Sequence, residues 1–184
     1  MSRVVLCRFF CSFRRTLPAP ACGLIIVRTM VSKKLLIVAH APSPNTVRLR
    51  DAVVAGAGLP GIDNVEVVAL NPFEAGAQEI MAAQAVVLGT TENLGYMSGA
   101  LKDFFDRIYC PCLGQTQGLP SALYVRAKLD GTGTRRAVES ITGGLGWKLV
   151  QAPLICKGEW RDEFVDECLA LGTAMAVGLD TGIF

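Results

Sequence analysis

A short polar segment between an apolar run and a helical pattern is the first candidate for chemistry in this sequence. The segment reads APSPNT over residues 41–46, and its hydroxyl and amide side chains are Ser43, Asn45 and Thr46. Such residues in front of a helix can hold a phosphate group, because free N–H donors and a partial positive charge collect at a helix N-terminus. The same residue types are also ordinary helix caps and turn formers, so this segment alone leaves both interpretations open.

A second polar stretch follows a later apolar run and reads TTENLGYMSG over residues 90–99. An amphipathic helix is predicted directly after it, over residues 98–109, with Asp103 and Arg107 spaced to form an i,i+4 ion pair. The carboxyl ends of parallel strands meet at one edge of a sheet. We therefore expect this stretch, predicted as a loop, to lie at the same edge as the first segment.

Five apolar runs of strand length alternate with helical patterns, and these elements must position the two polar segments. The predicted strands cover residues 35–39, 65–70, 85–89, 121–127 and 147–155. The predicted helices cover residues 46–54, a short stretch within 71–84, and residues 98–109, 135–142 and 162–177. Short crossovers and right-handed connections give an α/β fold, an open doubly wound parallel sheet of order 2-1-3-4-5 with helices on both faces. The crevice between strands 1 and 3 would then be the ligand site.

Residues 56–61 read GAGLPG and match the pattern G-x-G-x-x-G. That pattern indicates dinucleotide binding only where it follows a strand and opens a helix. Here it follows a predicted helix and precedes a predicted strand. We therefore interpret it as a helix stop and a turn.

Composition and charge exclude several classes of protein. The 184 residues are 51% apolar and 18% charged, which fits one well-buried α/β domain. Five of the 18 basic residues lie within the first 28 positions, which leaves 13 against 16 acidic residues, a net charge of −3 for the remainder. The body of the chain thus gives no support for nucleic-acid binding. Seven unevenly spaced cysteines indicate reduced thiols in the cytoplasm, with Cys110 and Cys112 as a weaker redox-pair candidate.

Residues 1–29 are rich in arginine and contain no acidic residue. Their apolar runs are too short to span a membrane or to form a secretory signal core, whereas an organellar transit peptide stays compatible with the composition. We prefer the hypothesis that residues 1–29 are a non-native or disordered extension and that the domain covers residues 30–184, because residues 30–34, MVSKK, look like a natural protein start just ahead of the first strand. Mass spectrometry of the native N-terminus tests this.

The most specific stretch, GTTENLGYMSGALKDFFDR at residues 89–107, resembles a motif of the flavodoxin-like family. The resemblance covers roughly residues 34–160 and is to the branch of NAD(P)H-dependent FMN reductases and quinone reductases. It implies FMN held non-covalently, with its phosphate on Ser43, Asn45 and Thr46. It places the isoalloxazine ring on the third-strand loop, at Thr91, Glu92, Asn93, Leu94, Gly95 and Tyr96, with Asp130 and Gly131 closing over the ring edge. The sequence departs from the family at Thr91, where a proline is usual, and at Pro44, where a glycine is common.

The resemblance implies an oxidoreductase with NAD(P)H as co-substrate and a quinone, a flavin or a similar small-molecule electron acceptor. No catalytic residue and no metal are expected, because flavin N5 carries the hydride. A flavodoxin-type electron carrier and a doubly wound module without flavin are the alternatives. A homodimer or homotetramer with residues 113–119 in the contact is compatible with the family. His40 stays open between a ligand contact and a structural or solvated role. Arg126 stays open between a contact with a flavin or nicotinamide phosphate and a surface ion pair.

Overall fold

Strands and helices alternate along residues 32–184, the part of the chain that the computed structural model describes. The strands are β1 (Lys33–Ala39), β2 (Val65–Leu70), β3 (Ala85–Asn93), β4 (Tyr96–Met97), β5 (Pro120–Ala127), β6 (Lys148–Leu149) and β7 (Leu154–Lys157). The helices are α1 (Pro44–Ala57), α2 (Ala77–Ala82), α3 (Gly99–Cys112), α4 (Thr132–Gly144) and α5 (Glu163–Thr181). The predicted extension over residues 1–29 lies outside the described residues.

The main sheet is parallel and has the strand order β2-β1-β3-β5, with β6 and β7 both on the outer side of β5. This confirms the predicted doubly wound topology. The single fifth strand predicted over residues 147–155 is wrong in detail, because it is two short strands separated by residues 150–153. Pro153 lies in that gap and has no N–H to donate to a neighbouring strand, which explains why pairing is interrupted there.

β1 lies in the middle of the sheet and is buried on both faces, as its unbroken apolar run predicts. Leu36 and Val38 face a core shared with α2, α3 and α4. Leu35 and Ile37 face a second core, shared with α1 and α5. Burying a leucine or isoleucine side chain stabilises a fold by about 1.5–3 kcal/mol, so β1 anchors both layers.

Two glycines allow α1 and α5 to approach closely. A Cβ atom on Gly56 would lie 2.0 Å from the carbonyl oxygen of Leu169, and one on Gly172 would lie 2.1 Å from the carbonyl oxygen of Val53. Gly56 is also the first glycine of the GAGLPG stretch, which ends α1 and turns into β2. The structure therefore confirms that this stretch is a helix end and gives its first glycine a packing role.

Within residues 32–184, no helix is both long enough and apolar enough to cross a lipid bilayer.

Candidate functional site

The first polar segment is a tight helix start at the carboxyl end of β1. Ser43 is the N-cap of α1 and Pro44 is its first helical residue, so the helix begins two residues before its predicted start. The Ser43 Oγ atom accepts a hydrogen bond from the Thr46 backbone N–H at 3.3 Å, and Thr46 Oγ1 accepts one from the Ser43 N–H at 2.9 Å. This reciprocal pair is a capping box, in which each side chain satisfies the other residue's backbone donor.

The capping box leaves few donors for a ligand. Thr46 is 5% exposed, and its hydroxyl donates to the Ser43 carbonyl oxygen at 2.8 Å. Pro44 has no N–H, and the Val47 N–H is bound to the Ser43 carbonyl oxygen. The Ser43 hydroxyl lies 3.0 Å from Thr46 Oγ1 and donates to it, because the Thr46 hydroxyl proton is bound to the Ser43 carbonyl oxygen. The donors that stay free for a ligand are therefore the backbone and side-chain amides of exposed Asn45.

The second polar stretch is a β-hairpin, not the loop predicted from the sequence. β3 continues through Thr90 to Asn93 and pairs with antiparallel β4, with Asn93 opposite Tyr96. The two turn residues, Leu94 and Gly95, have positive φ values of 54° and 75°. Two positive φ angles are the geometry of a type I′ turn, which matches the twist of a hairpin. The polar composition hid this strand pairing.

Leu94 at the tip of this hairpin is both fully exposed and strained. It is the one residue other than glycine with positive φ among residues 32–184, and its relative exposure is 105%. A left-handed conformation costs a residue with a Cβ atom roughly 1–2 kcal/mol. Strain of this kind persists where the surrounding structure enforces it, and it clusters at functional sites.

Glu92 ties the hairpin to the loop that follows β5. Its carboxylate oxygens accept hydrogen bonds from the backbone N–H groups of Leu129 at 2.9 Å and Gly131 at 3.1 Å. Asp130, in the same loop, accepts a hydrogen bond from the Thr132 N–H at 2.9 Å, and this bond lowers the pKa of its carboxyl group. The structure thus brings Glu92, Asp130 and Gly131 together at this edge of the sheet.

Close backbone contact also fixes the hairpin against α4. A Cβ atom on Gly133 would lie 2.0 Å from the Gly95 carbonyl oxygen. Below the tip, Thr90 Oγ1 lies 3.1 Å from Ser98 Oγ, which in turn caps α3 by accepting from the Leu101 N–H at 3.2 Å. The sequence reasoning missed these positions, although serine three residues before the apolar face of a predicted helix is a cap signal.

Several buried polar atoms at this edge have no hydrogen-bond partner in the structure. They are Nδ1 of His40, Oγ1 of Thr91 and Oγ1 of Thr134. Buried polar groups are normally hydrogen-bonded, so each of these is a position from which a ligand or a water molecule would gain a bond. Burial lowers the pKa of His40, so its imidazole is neutral at pH 7.

Arg126 is a structural brace. Its guanidinium group donates to the backbone carbonyl oxygens of Ala127, Cys156 and Gly158, which joins β5 to the end of β7. The sequence left Arg126 open between a contact with a ligand phosphate and a surface ion pair, and the structure shows neither, because the side chain binds backbone carbonyl oxygens. The predicted ion pair of Asp103 and Arg107 forms at 2.8 Å.

Cys110 and Cys112 are both free thiols, but they have different surroundings. Cys110 is exposed, whereas Cys112 is fully buried, and burial raises the pKa of the Cys112 thiol. A raised pKa keeps a thiol protonated and unreactive. Among residues 32–184, no group of three or more histidine, cysteine, aspartate or glutamate side chains is placed to hold a metal ion.

The fold and this edge define an open, doubly wound α/β protein whose β1, β3 and β5 segments share the carboxyl edge of the sheet. Comparisons with solved structures then give the particular fold. A flavodoxin from the domain Archaea is similar with a TM-score of 0.67 and 20% identity, over 79% of this chain and 98% of that one. A WrbA-like flavodoxin from Agrobacterium tumefaciens gives 0.63 and 18%, over 82% and 98%. The flavodoxin of Megasphaera elsdenii gives 0.65 and 17%, over 78% and 98%.

The chain therefore has the flavodoxin-like fold, as the sequence predicts. No family model matches the sequence, and no curated protein matches it either.

Proposed function

We propose that this chain is an FMN-binding oxidoreductase that passes a hydride from NAD(P)H through FMN to a quinone, a flavin or a similar small acceptor. The observation that carries the proposal is Leu94, an exposed apolar side chain in a strained backbone conformation at the crevice edge. Nothing in the packing of the described residues calls for a leucine there, because the side chain buries no surface. A flat apolar ligand that covers it supplies a reason.

The phosphate end of FMN would lie at the N-terminus of α1. The two amides of Asn45 are the donors left over by the capping box, and the first turn of α1 contains no acidic residue. The Ser43 hydroxyl would join them by turning from Thr46 Oγ1 to the phosphate. Thr46 then acts as a positioning residue, because its hydroxyl holds the Ser43 backbone on both sides. Helix N-termini with free N–H groups bind phosphate without a cation.

The ring end would lie against the hairpin. Leu94 and Tyr96, which is 42% exposed, offer apolar surface for a flat ring. Thr91 has an unpartnered buried hydroxyl, and Asn93 has an exposed amide for polar ring atoms. Glu92 holds the opposite loop in place, so Asp130 and Gly131 would border the ring from the other side.

FMN supplies hydride transfer at its N5 atom when bound, so the chain needs no acid, base or nucleophile of its own. Its residues bind and orient the ligand and exclude water on one side. His40 stays neutral at pH 7 because burial lowers its pKa, so it adds no charge beside the phosphate.

A flavodoxin-type electron carrier, which would bind FMN without oxidising NAD(P)H, is the second candidate. Proteins named as flavodoxins are among the similar structures, which favours it. One experiment separates these functions from a module without flavin. The purified full chain is titrated with FMN, its visible spectrum is recorded, and NAD(P)H is added without oxygen.

We expect flavin binding followed by bleaching on addition of NAD(P)H. Flavin binding without bleaching would support the carrier, and no flavin binding would overturn both proposals. The electron acceptor follows from aerobic turnover with a panel of quinones and free flavins.

The remaining sequence predictions form part of the same proposal. These are a cytoplasmic location, a domain covering residues 30–184, and a homodimer or homotetramer. In the segment 113–119, Leu113 is 51% exposed while Thr116 and Leu119 are buried, so Leu113 is the large apolar side chain of this segment that is available for a contact. Light scattering of the full chain and of Leu113→Glu tests the assembly.

A further inference from the structure

A cluster of arginine and aromatic side chains lies beside the first turns of α1 and has no role in the fold described so far. The segment between β7 and α5 contributes Trp160 and Arg161, and α1 contributes Arg48. Arg48 is five residues after the N-cap Ser43, which places it about 7.5 Å further along the helix axis. The cluster therefore lies next to the proposed phosphate position and is separate from it.

Asp162 holds this cluster in place instead of capping its own helix. It stands at the N-cap position of α5, but its side chain makes no cap hydrogen bond. Its Oδ1 atom accepts from the Arg48 guanidinium at 2.8 Å and from the Trp160 indole N–H at 3.1 Å. Both bonds lower the pKa of Asp162 and keep it charged. An N-cap contributes about 1 kcal/mol to helix stability, so this carboxylate gives up a normal stabilising role.

The Arg48 guanidinium is thereby fixed as a flat surface. Its carbon atom lies 5.1 Å from the centroid of the Trp160 ring, and its side chain is 50% exposed. Trp160 is supported in turn by Phe164, with an edge-on ring contact at 6.0 Å. An aromatic base can stack on a guanidinium plane, so Arg48 offers a platform with indole on one side.

Arg161 supplies the charge that the platform lacks. Its guanidinium lies 4.6 Å from the Phe164 ring, and it has no hydrogen-bond or ion-pair partner among residues 32–184. Glu159 and Glu163 flank it in the sequence, but neither forms an ion pair with it. Arg48 is neutralised by Asp162, so Arg161 is the cation of the cluster that can bind an anion, and Arg binds phosphate strongly because its N–H donors match the phosphate oxygens.

From this geometry we propose that Arg48 and Arg161 bind the adenosine end of the nicotinamide donor, with the adenine on Arg48 and a 2′-phosphate on Arg161. NADPH is then preferred over NADH. This inference rests on the proposed function, because it names the donor for the same site. A flat base that carries a phosphate group on its ribose is the ligand class that matches a stacking plane next to an unpaired guanidinium.

The test uses the full chain and two probes, adenosine 2′,5′-bisphosphate and 5′-AMP, which differ only in the 2′-phosphate. Titration calorimetry is expected to show tighter binding of the bisphosphate. Arg161→Gln should weaken bisphosphate binding about tenfold or more and leave 5′-AMP binding unchanged, because a charge-assisted hydrogen bond is lost. Arg48→Lys keeps the charge but loses the plane, so it should weaken both probes. Arg136→Gln, at an exposed and unpaired position on α4, is the control.

Fluorescence gives a second measurement. Binding of either probe should quench the emission of Trp160, and Trp160→Phe should abolish the quench. Equal affinity of the native chain for the two probes, or an equal loss for both in Arg161→Gln, would overturn the proposal. Tighter binding of the bisphosphate than of 5′-AMP that disappears in Arg161→Gln supports the proposed nucleotide site. If the chain then oxidises no NADPH, only the proposed function fails.

Discussion

Replacing Leu94 by asparagine is expected to stabilise the protein and to weaken its flavin binding at the same time. Leu94 has a φ angle of 54° and a relative exposure of 105%. Asparagine tolerates the left-handed conformation because its short polar side chain bonds locally, whereas leucine loses roughly 1–2 kcal/mol there. The leucine buries nothing that the substitution would expose. We therefore expect the free energy of unfolding to rise by about 1 kcal/mol.

Urea denaturation of the chain without flavin measures this change. In a separate thermal unfolding experiment, a gain of about 1 kcal/mol should raise the melting temperature by roughly 2–4 °C for a domain of this size. Leu94→Gly is the matched comparison, because glycine removes the same strain but gains chain entropy on unfolding. The stabilisation by glycine should be smaller than that by asparagine.

The ligand half of the prediction has the opposite sign. If the ring covers Leu94, loss of that apolar contact should weaken FMN binding by roughly 1.5 kcal/mol, which is about tenfold in the dissociation constant. A fluorescence titration with FMN measures it. A destabilised Leu94→Asn variant with unchanged flavin affinity would refute the reasoning, since it would mean that the leucine packs within the protein and touches no ligand.

Three further predictions concern the framework of the site. Glu92→Gln should lower the free energy of unfolding by about 1–2 kcal/mol and speed amide hydrogen exchange at Leu129 and Gly131, because one amide oxygen replaces two charged acceptors. Unchanged exchange at these two amides would contradict their hydrogen bonds to Glu92. Burial lowers the pKa of His40, the single histidine, in the folded state, so the unfolded chain takes up the proton at a higher pH. The free energy of unfolding should therefore fall as the pH drops below about 6.5. His40→Asn should remove this pH dependence in a series of denaturation curves. Gly56→Ala should lower the free energy of unfolding by roughly 2–4 kcal/mol, because the added methyl group would clash with α5. Gly143→Ala, which has open space around it, should raise the free energy of unfolding slightly. Equal effects of the two variants would argue against the close contact of α1 and α5.

The topology was predictable because it depends on local patterns that the chain repeats. Apolar runs such as residues 35–39 and 85–89 read as buried strands, and short right-handed connections between them indicate a doubly wound sheet, for which five strands suit the order 2-1-3-4-5. The GAGLPG stretch was interpreted correctly for the same reason, because its place between a helix and a strand excludes a dinucleotide loop. The hairpin at Thr90 to Met97 was missed because its alternation is weak and polar, and strand pairing there depends on a two-residue turn.

The sequence by itself determined which segments reach the carboxyl edge of the sheet, because each strand delivers its following loop to that edge. Only the tertiary structure decided what those residues do there. The Thr46 hydroxyl is fully hydrogen-bonded within the capping box, and Glu92 accepts hydrogen bonds from backbone amides 37 and 39 residues away. Asp162 pairs with Arg48 and does not cap α5. The bonds of Glu92 and Asp162 join residues far apart in the chain, and whether a polar side chain finds such a partner depends on distances of a few tenths of an ångström, which residue type and spacing do not encode.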